Sequence, residues 1–430
     1  MGVFIIDTAA ADEIRFSLYP LEAEAVHIAL YSPNWPPEGA ANGIVSYVST
    51  IRDHFIGKGH RVSVLSDGRL YTSDNRAIRL LPPMEQLGAL ERLKRRLARR
   101  ADCLHGALPG MGRMLAAQLR AAHRIEPIDI VEMEESFGWS QTVQRLTRIP
   151  VITRLHGPFF LKPAKPRTPR EHRSDLQRCA SEGRAFRASR TLTAPTHAIM
   201  NVTCENYGRQ LADRDAVIPN PISLAPESDR WSLAACDPNH ILMIGRFDFW
   251  KGADTMLLAF DRLLQTHPQA RLTLVGPKIG IETGPGQLAD FEEFARTRLS
   301  PATAARVELT GTLTPFEIAR LRQRAFVTVL ASRMENFPYA LLEGLAAGCP
   351  MLSTGWAGSD EIIGDGKTGF ITPVGDPDAM AQRLAWLLDN PEMAAETGAA
   401  GLRHCAETFS IERVGEQLLQ CHEATLKAGA

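Results

Sequence analysis

Short apolar runs, rich in β-branched side chains and without the polar alternation of a half-exposed strand, recur along almost the whole chain. They stand at His27–Tyr31, Arg61–Ser66, 78–81, 129–133, 150–155, 191–194 and 216–218. They resume at 240–244 and continue through 270–276, 307–310, 327–332, 350–354 and 369–374. Strands buried on both faces have this composition, and most of the intervals between them are helix-length. Parallel strands need such crossovers, so the pattern predicts βαβ units wound into parallel sheets. It breaks once, from Pro219-Asn220-Pro221 to Asp237-Pro238, where the chain is turn-rich and aperiodic. At 430 residues the chain is too long for one ordinary core. The expected organisation is an N-terminal extension (1–24), a Rossmann-like domain (25–220), a linker (221–239), a second Rossmann-like domain (240–409) and a final helix within 410–430. Parallel sheets bind ligands at the carboxyl ends of their strands, so two such domains facing each other would place the site in the cleft between them.

Composition narrows the class. Hydrophobic content of 44% with 23% charged residues is that of a soluble globular chain. No apolar run approaches the roughly 20 residues of a membrane span. Met1–Ile6 lacks the basic start and long apolar segment of an export signal. The seven cysteines are dispersed with no C-x-x-C pair, which predicts reduced thiols and a cytoplasmic setting. The net charge of −1 hides an asymmetry, because basic residues concentrate before position 220 and acidic ones after it. The first half is therefore expected to face something anionic. No nucleic-acid partner is expected. No metal is expected either: two D-x-D triplets, Asp213–Asp215 and Asp376–Asp378, read as a polar loop and a helix start. Gly366-Lys367-Thr368 ends like a phosphate-binding loop, but the first glycine of that pattern would fall at Glu361.

Two segments carry chemistry. Glu335-Asn336-Phe337-Pro338-Tyr339-Ala340-Leu341-Leu342-Glu343 follows the apolar run 327–332 and opens into a helix. Pro338 suits the first helical position, where its missing N–H costs nothing. Glu335 then lies on the loop at the strand's end and Glu343 inside the helix, with free helix N–H groups between them as an anion site. Gly245-Arg246 ends the run 240–244, and Lys251-Gly252 precedes an apolar-periodic helix (Met256, Leu257, Phe260, Leu263, Leu264). An Arg fork and a Lys point charge at the mouth of a parallel sheet suit a diphosphate. Together these features predict a nucleotide-diphospho-sugar ligand.

The pairing of G-R-x4-K-G with E-x7-E strongly resembles the retaining glycosyltransferases of family 4, across roughly residues 26–425. The resemblance implies the GT-B fold, two facing Rossmann-like doubly wound domains with parallel sheets, whose last helix crosses back onto the first. It implies a nucleotide-sugar donor, UDP- or GDP-linked, and an acceptor hydroxyl on a glycan or lipid-linked molecule in polysaccharide, glycolipid or envelope synthesis. By the family pattern Arg246 and Lys251 neutralise the leaving diphosphate, Glu335 orients the sugar, and Glu343 accepts from the ribose. Gly245 and the backbone of Asn336, Phe337, Pro338 and Tyr339 would approach the phosphates, and Gly311, Thr312 and Leu313 the base. Gly39 and Gly43 would let the first domain's backbone reach the diphosphate, although Gly-Ala-Ala-Asn-Gly departs from the family's commoner adjacent glycines. Asn220-Pro221-Ile222-Ser223 likewise departs from the usual hinge turn. His156 matches a histidine near the sugar and the acceptor, and Glu134 and Glu135 are candidate acceptor contacts. No general base is evident, as expected where the donor's own phosphate takes the acceptor proton.

A sugar-nucleotide epimerase and a non-catalytic nucleotide-sugar binding protein are the competing classes; epimerisation without acceptor would mark the first, and loss of any of the four charged motif residues the second. Residues 90–104 read as an amphipathic helix with Leu90, Leu93, Leu97 and Leu104 on one face and Arg92, Lys94, Arg95, Arg96, Arg99 and Arg100 mostly elsewhere. Its leucines either pack on the first domain or meet an anionic membrane.

Overall fold

The computed structural model describes residues 25–37, 42–80, 111–161, 168–284 and 287–428, together with Gly88, Leu93, Lys94 and Leu97. The first domain is built on β1 (His27–Tyr31), β2 (Arg61–Ser66), β3 (Arg69–Tyr71), β4 (Ala77–Arg79), β5 (Ile130–Glu134), β6 (Val151–Arg154), β7 (Thr191–Ala194) and β8 (Ala216–Val217). They form one sheet in the order β4-β3-β2-β1-β5-β6-β7-β8. From β2 to β8 the neighbours are parallel, and β3 and β4 add an antiparallel edge. The second domain carries β9 (Asp237–Ile244), β10 (Phe247–Asp248), β11 (Arg271–Val275), β12 (Lys278–Gly284), β13 (Gln287–Ala289), β14 (Val307–Gly311), β15 (Ala325–Leu330), β16 (Met351–Thr354) and β17 (Phe370–Thr372). Six of these make the all-parallel sheet β14-β11-β9-β15-β16-β17, and β10, β12 and β13 make a small side sheet.

Both sheets are doubly wound, so each has a point where the winding reverses. The chain leaves β1 toward β2 and returns to β5 on the other side; it leaves β9 toward β11 and β14 and returns to β15. Ligand crevices open at such points, beyond the carboxyl ends of the strands. Local signals set the helices between. Asn42 Oδ1 accepts from Ile44 N at 2.9 Å and starts the helix Gly43–Gly57. Thr168 with Glu171, and Thr314 with Glu317, form capping boxes. Asp376 caps Pro377–Asp389 through Ala379 N, Asp378 meets Arg262, and Asp215 is held by Arg209, so these D-x-D carboxylates have structural partners. Among the described residues no group of three or more His, Cys, Asp or Glu is placed to hold a metal ion.

The expected linker is shorter in the fold. β9 starts at Asp237, whose Oδ2 accepts from Arg271 on β11. Trp231 is buried in the second core, and its Nε1 donates to Ala325 O at 2.7 Å. A single Trp in a turn-rich stretch has no period, so the pattern gave no sign of this anchoring.

Several contacts among the described residues tie the domains together. The last helix, Ile411–Lys427, crosses back and inserts Val414, Leu418, Leu419 and Cys421 into the core around β1. From the same helix His422 Nε2 lies 3.1 Å from Glu132 Oε2, and Tyr47 OH donates to Glu132 Oε1 at 2.6 Å. Glu361 of the second domain accepts from His197 N (2.7 Å) and Ala198 N (2.8 Å), capping a first-domain helix across the cleft. Asn336 Nδ2 donates to Leu155 O at 3.3 Å. Burial alone would raise the carboxyl of Glu132, but the hydrogen bond and charge of His422, with Arg154 and Tyr47, hold it at about 2. A depressed carboxylate stabilises the fold above its unfolded pKa near 4.5, and that contribution is lost as pH falls toward 2. Glu132→Gln should therefore cost about 3 kcal/mol at pH 7 in urea unfolding, with the deficit narrowing below pH 4.5.

Candidate active site

The switch point of the second sheet is where the two motifs meet. Gly245-Arg246 continues from β9 and Ser332 to Glu335 from β15, the neighbouring strand. Lys251 Nζ is paired with Glu335 Oε1 across 84 residues of sequence, and Ser332 Oγ donates to the same oxygen at 2.7 Å. Asp248 organises the basic side: its Oδ2 takes Arg246 Nε at 2.6 Å and its Oδ1 takes Lys251 N at 2.8 Å. The Arg246 side chain is 48% exposed, so its remaining donors are open to a ligand. The helix Tyr339–Ala346 begins four residues after Glu335, and it has no side-chain cap. Pro338 is the residue before the helix and not its first residue, with ψ 121. Leu341 N and Leu342 N donate to Pro338 O, which leaves the N–H groups at the very start of the helix, those of Tyr339 and Ala340, for an anion.

Arg333 fixes the two loops to each other. Its guanidinium forks Asp254 with two 2.7 Å bonds and lies 3.7 Å over the Phe249 ring, while its amide donates to Trp250 O at 2.9 Å. Two glycines set the backbone spacing. At Gly252, φ 69, a Cβ would lie 1.8 Å from Ala331 O; at Gly276, φ 147, it would lie 2.2 Å from Gly245 O. Arg333, Asp254, Asp248 and Gly276 were not singled out in the sequence. Asp248 alone left a signal, two residues after Arg246, where a carboxylate is well placed to orient the Arg.

The other candidates divide. Gly311 (φ 78) ends β14 and its carbonyl accepts from Gly276 N, so the loops after β9, β11 and β14 are adjacent. Thr312 is exposed, and Leu313 packs on the small core around Leu242. Glu343 pairs with Arg322 Nη2 at 2.8 Å. The Phe337 side chain is core, edge-on to Phe409. Tyr339 packs against both domains' cores, 3.6 Å from where a Cβ on Gly43 would be. Gly39 lies outside the described residues. Asn336 contributes its side chain as well as backbone, through the cross-cleft bond to Leu155 O.

On the first-domain side, His156 follows β6 and its ring stands edge-on to Tyr47 at 5.0 Å. Desolvation, with Arg154 close by, lowers it to about 3, so the imidazole is neutral at pH 7. Arg154 itself is fully buried, with Nη2 donating to Ile218 O and Asn220 Oδ1. Glu135 has both carboxyl oxygens on this loop, accepting from His156 N and Gly157 N at 2.8 Å each. It shapes the His156 turn through these two bonds. Burial and then Glu134 raise Glu135 to about 8. Glu134 accepts from Ser136 Oγ at 2.8 Å.

Residues 41–225 match the family model Glycosyltransferase Family 4, and residues 226–404 match the model Glycosyl transferases group 1. The chain belongs to the family 4 glycosyltransferases. This family 4 chain is 31% identical over 187 residues to D-inositol 3-phosphate glycosyltransferase of Streptomyces avermitilis, across 44% of this chain and 40% of that one. It is 28% identical over 249 residues to glycogen synthase of Mycobacterium tuberculosis, across 57% and 56% of the two chains. The matched region thus spans about half the length of these relatives. Among solved structures, sucrose-phosphate synthase from Thermosynechococcus elongatus superposes with a TM-score of 0.69 at 18% identity, over 94% of this chain and 100% of that one. The Anabaena protein HepE in complex with UDP-glucose gives 0.64 at 16%, over 93% and 100%. These likenesses carry the GT-B fold.

Replacing Gly252 with Ala should break the geometry most directly. It combines a left-handed backbone, costing about 1–2 kcal/mol for a side chain, with the clash at Ala331 O. Thermal unfolding should show a clear drop in Tm, whereas Ala at Gly366, where no atom lies within 4 Å of a Cβ, should lose only the backbone component.

Proposed function

We propose that this chain is a retaining glycosyltransferase that moves a sugar from a nucleotide-diphospho-sugar to an acceptor hydroxyl. The observation that carries the reading is the Lys251–Glu335 pair, set across the β9/β15 switch point before the uncapped N-terminus of Tyr339–Ala346. Cation, carboxylate and helix amides converge where a diphosphate and its sugar need them. HepE was solved with UDP and with UDP-glucose, which supports a UDP-sugar here, with a GDP-sugar as the competing donor.

In this mechanism Arg246, Lys251 and the helix amides bind the donor diphosphate. As the bond from the anomeric carbon to the phosphate oxygen lengthens, charge grows on that oxygen, and fixed cations stabilise the transition state more than the ground state. Glu335 accepts from sugar hydroxyls, and neutral His156 adds an uncharged hydrogen-bonding group on the facing side. The acceptor oxygen joins the anomeric carbon on the face the diphosphate leaves, and its proton passes to the leaving phosphate oxygen. Catalysis then needs neither a side-chain base nor a metal. Arg246→Ala and Lys251→Ala should each lower kcat/KM about 100- to 1,000-fold, a loss of about 3–4 kcal/mol, with unchanged circular dichroism. Activity should persist in EDTA; loss on chelation and recovery with Mg²⁺ or Mn²⁺ would refute the metal-free mechanism.

Peripheral attachment to an anionic membrane belongs to the same reading. Among the described residues no helix is long and apolar enough to cross a membrane. Most of residues 90–104 lie outside the described residues, but Leu93 and Leu97 are 52% and 54% exposed and Lys94 is exposed. Leucines open to solvent beside basic residues support a surface contact over packing on the first domain. Co-sedimentation with liposomes should require anionic lipid, weaken with salt, and fall when Arg95, Arg96, Arg99 and Arg100 become Ser. A protein left in the supernatant at low salt would point to a soluble acceptor.

A further inference from the structure

The chain passes between the two domains twice, and both crossings lie at one place. One follows β8 through Pro219 to Ile222, and the other runs from Phe409 to Ile411 at the start of the last helix. They are bonded to each other: Ile222 N donates to Phe409 O at 2.8 Å, beside a bridge between Ile222 and Ser410. Two crossings paired in this way form a hinge, and relative motion is the default for domains so joined. The width of the cleft is therefore left to contacts made away from the hinge. Asn336 Nδ2 reaches Leu155 O at 3.3 Å. Glu361 reaches the helix His197–Tyr207 with two shorter bonds, of 2.7 and 2.8 Å, and uses both carboxylate oxygens to do so.

Glu361 supplies what that helix lacks. The first amides of a helix have no partner inside it. Thr196 Oγ1 takes Ile199 N at 3.2 Å, and His197 N and Ala198 N go across the cleft to Glu361. A carboxylate in that place also meets the positive end of the helix dipole. The turn that carries Glu361 is shaped for a close approach. Gly358 opens it at φ 90, and a Cβ there would lie 3.0 Å from Thr196 Oγ1 and 3.4 Å from Ala198 Cβ. Trp356 before the turn and Ile362 and Ile363 after it are buried in the second core, so the turn is fixed to its own domain. Both ends of the contact lead toward the candidate site. On the second domain, Thr354 Oγ1 at the end of β16 donates to Ser332 O, and Ser332 Oγ holds Glu335 Oε1. On the first, Ile199 and Met200 of the capped helix share a core with Leu155, the residue before His156.

We propose that Glu361 is a positioning residue, a latch that fixes the width of the cleft and so holds His156 opposite Glu335. Its effect on sugar transfer rests on the donor reading, but the latch itself can be measured without a ligand. Hydrogen exchange by mass spectrometry on the full chain, over a peptide containing residues 195–202, should find the amides of His197 and Ala198 protected. Glu361→Ala should lose the protection of both, and Glu361→Gln, with a single acceptor oxygen, that of about one. Gly358→Ala should lose both although the carboxylate remains, because the added Cβ pushes the turn off Thr196. Exchange over β6 should be unchanged in all three variants, which reports an intact first domain. Small-angle scattering should give Glu361→Ala a larger radius of gyration than the wild type. With UDP-glucose or GDP-mannose, whichever the wild type hydrolyses, Glu361→Ala should lower kcat about 10- to 100-fold. Its Kd for the matching nucleoside diphosphate, by calorimetry, should stay within twofold, since Arg246, Lys251 and the amides of Tyr339 and Ala340 all belong to the second domain. Fast exchange at both amides of the wild type would overturn the latch, as would a Glu361→Ala variant with unchanged exchange and scattering. A variant that loses the protection yet keeps kcat within twofold would overturn the positioning role. A wild type that hydrolyses neither sugar nucleotide and binds neither diphosphate counts against the donor reading, and exchange and scattering still decide the latch.

Discussion

A parallel sheet cannot be wound in both directions from one strand without leaving a gap at the strand where the direction reverses. The crossovers that follow β9 toward β14 lie on one side of it and those after β15 on the other, so nothing covers the carboxyl ends of these two strands. Into that gap the chain puts Gly245-Arg246, Lys251 and Glu335, and the ion pair between Lys251 and Glu335 closes it from side to side. The pair is only as good as the loops that carry it, which explains the Arg333 fork on Asp254 and the two glycines whose Cβ positions are occupied by backbone oxygens. The first sheet reverses its winding in the same way, between β1 and β5.

Holding two such crevices face to face is a separate problem, and buried charge addresses it. Glu132 sits under the first sheet's crevice and is met by His422 from a helix that follows the second domain in sequence. Arg154 ties β6 to the start of the linker through Ile218, Pro219 and Asn220. Breaking such a network by removing one partner leaves an uncompensated buried charge, so the arrangement is specific as well as stabilising. Glu361 differs in kind. It caps a helix of the opposite domain through two backbone amides, a contact that exists only while the cleft has this width.

The sequence made much of this legible. Apolar runs located most strands within a few residues, because a strand buried on both faces has no alternative composition. G-R-x4-K-G and E-x7-E located both halves of the candidate site, where Lys251 meets Glu335, since each lies on one short segment next to a strand. What escaped were contacts with no local signature. Trp231 anchors a turn-rich stretch to the second core, Arg333 grips a loop nearly eighty residues upstream, and Glu135 spends both oxygens on the His156 turn.

By itself the sequence determined the two doubly wound domains, the family and the charged residues proposed here to face a diphosphate, because periodicity and short-range spacing encode them. Tertiary structure alone decided which of those residues meet. It paired Lys251 with Glu335 but gave Glu343 to Arg322, turned Glu135 inward, and gathered Tyr31, Phe137 and Trp139 from two strand ends into one ring cluster. The reason is physical: a side chain's partner depends on sheet order and on left-handed turns such as those at Phe137 and Gly252, and neither is written in the spacing of the residues concerned.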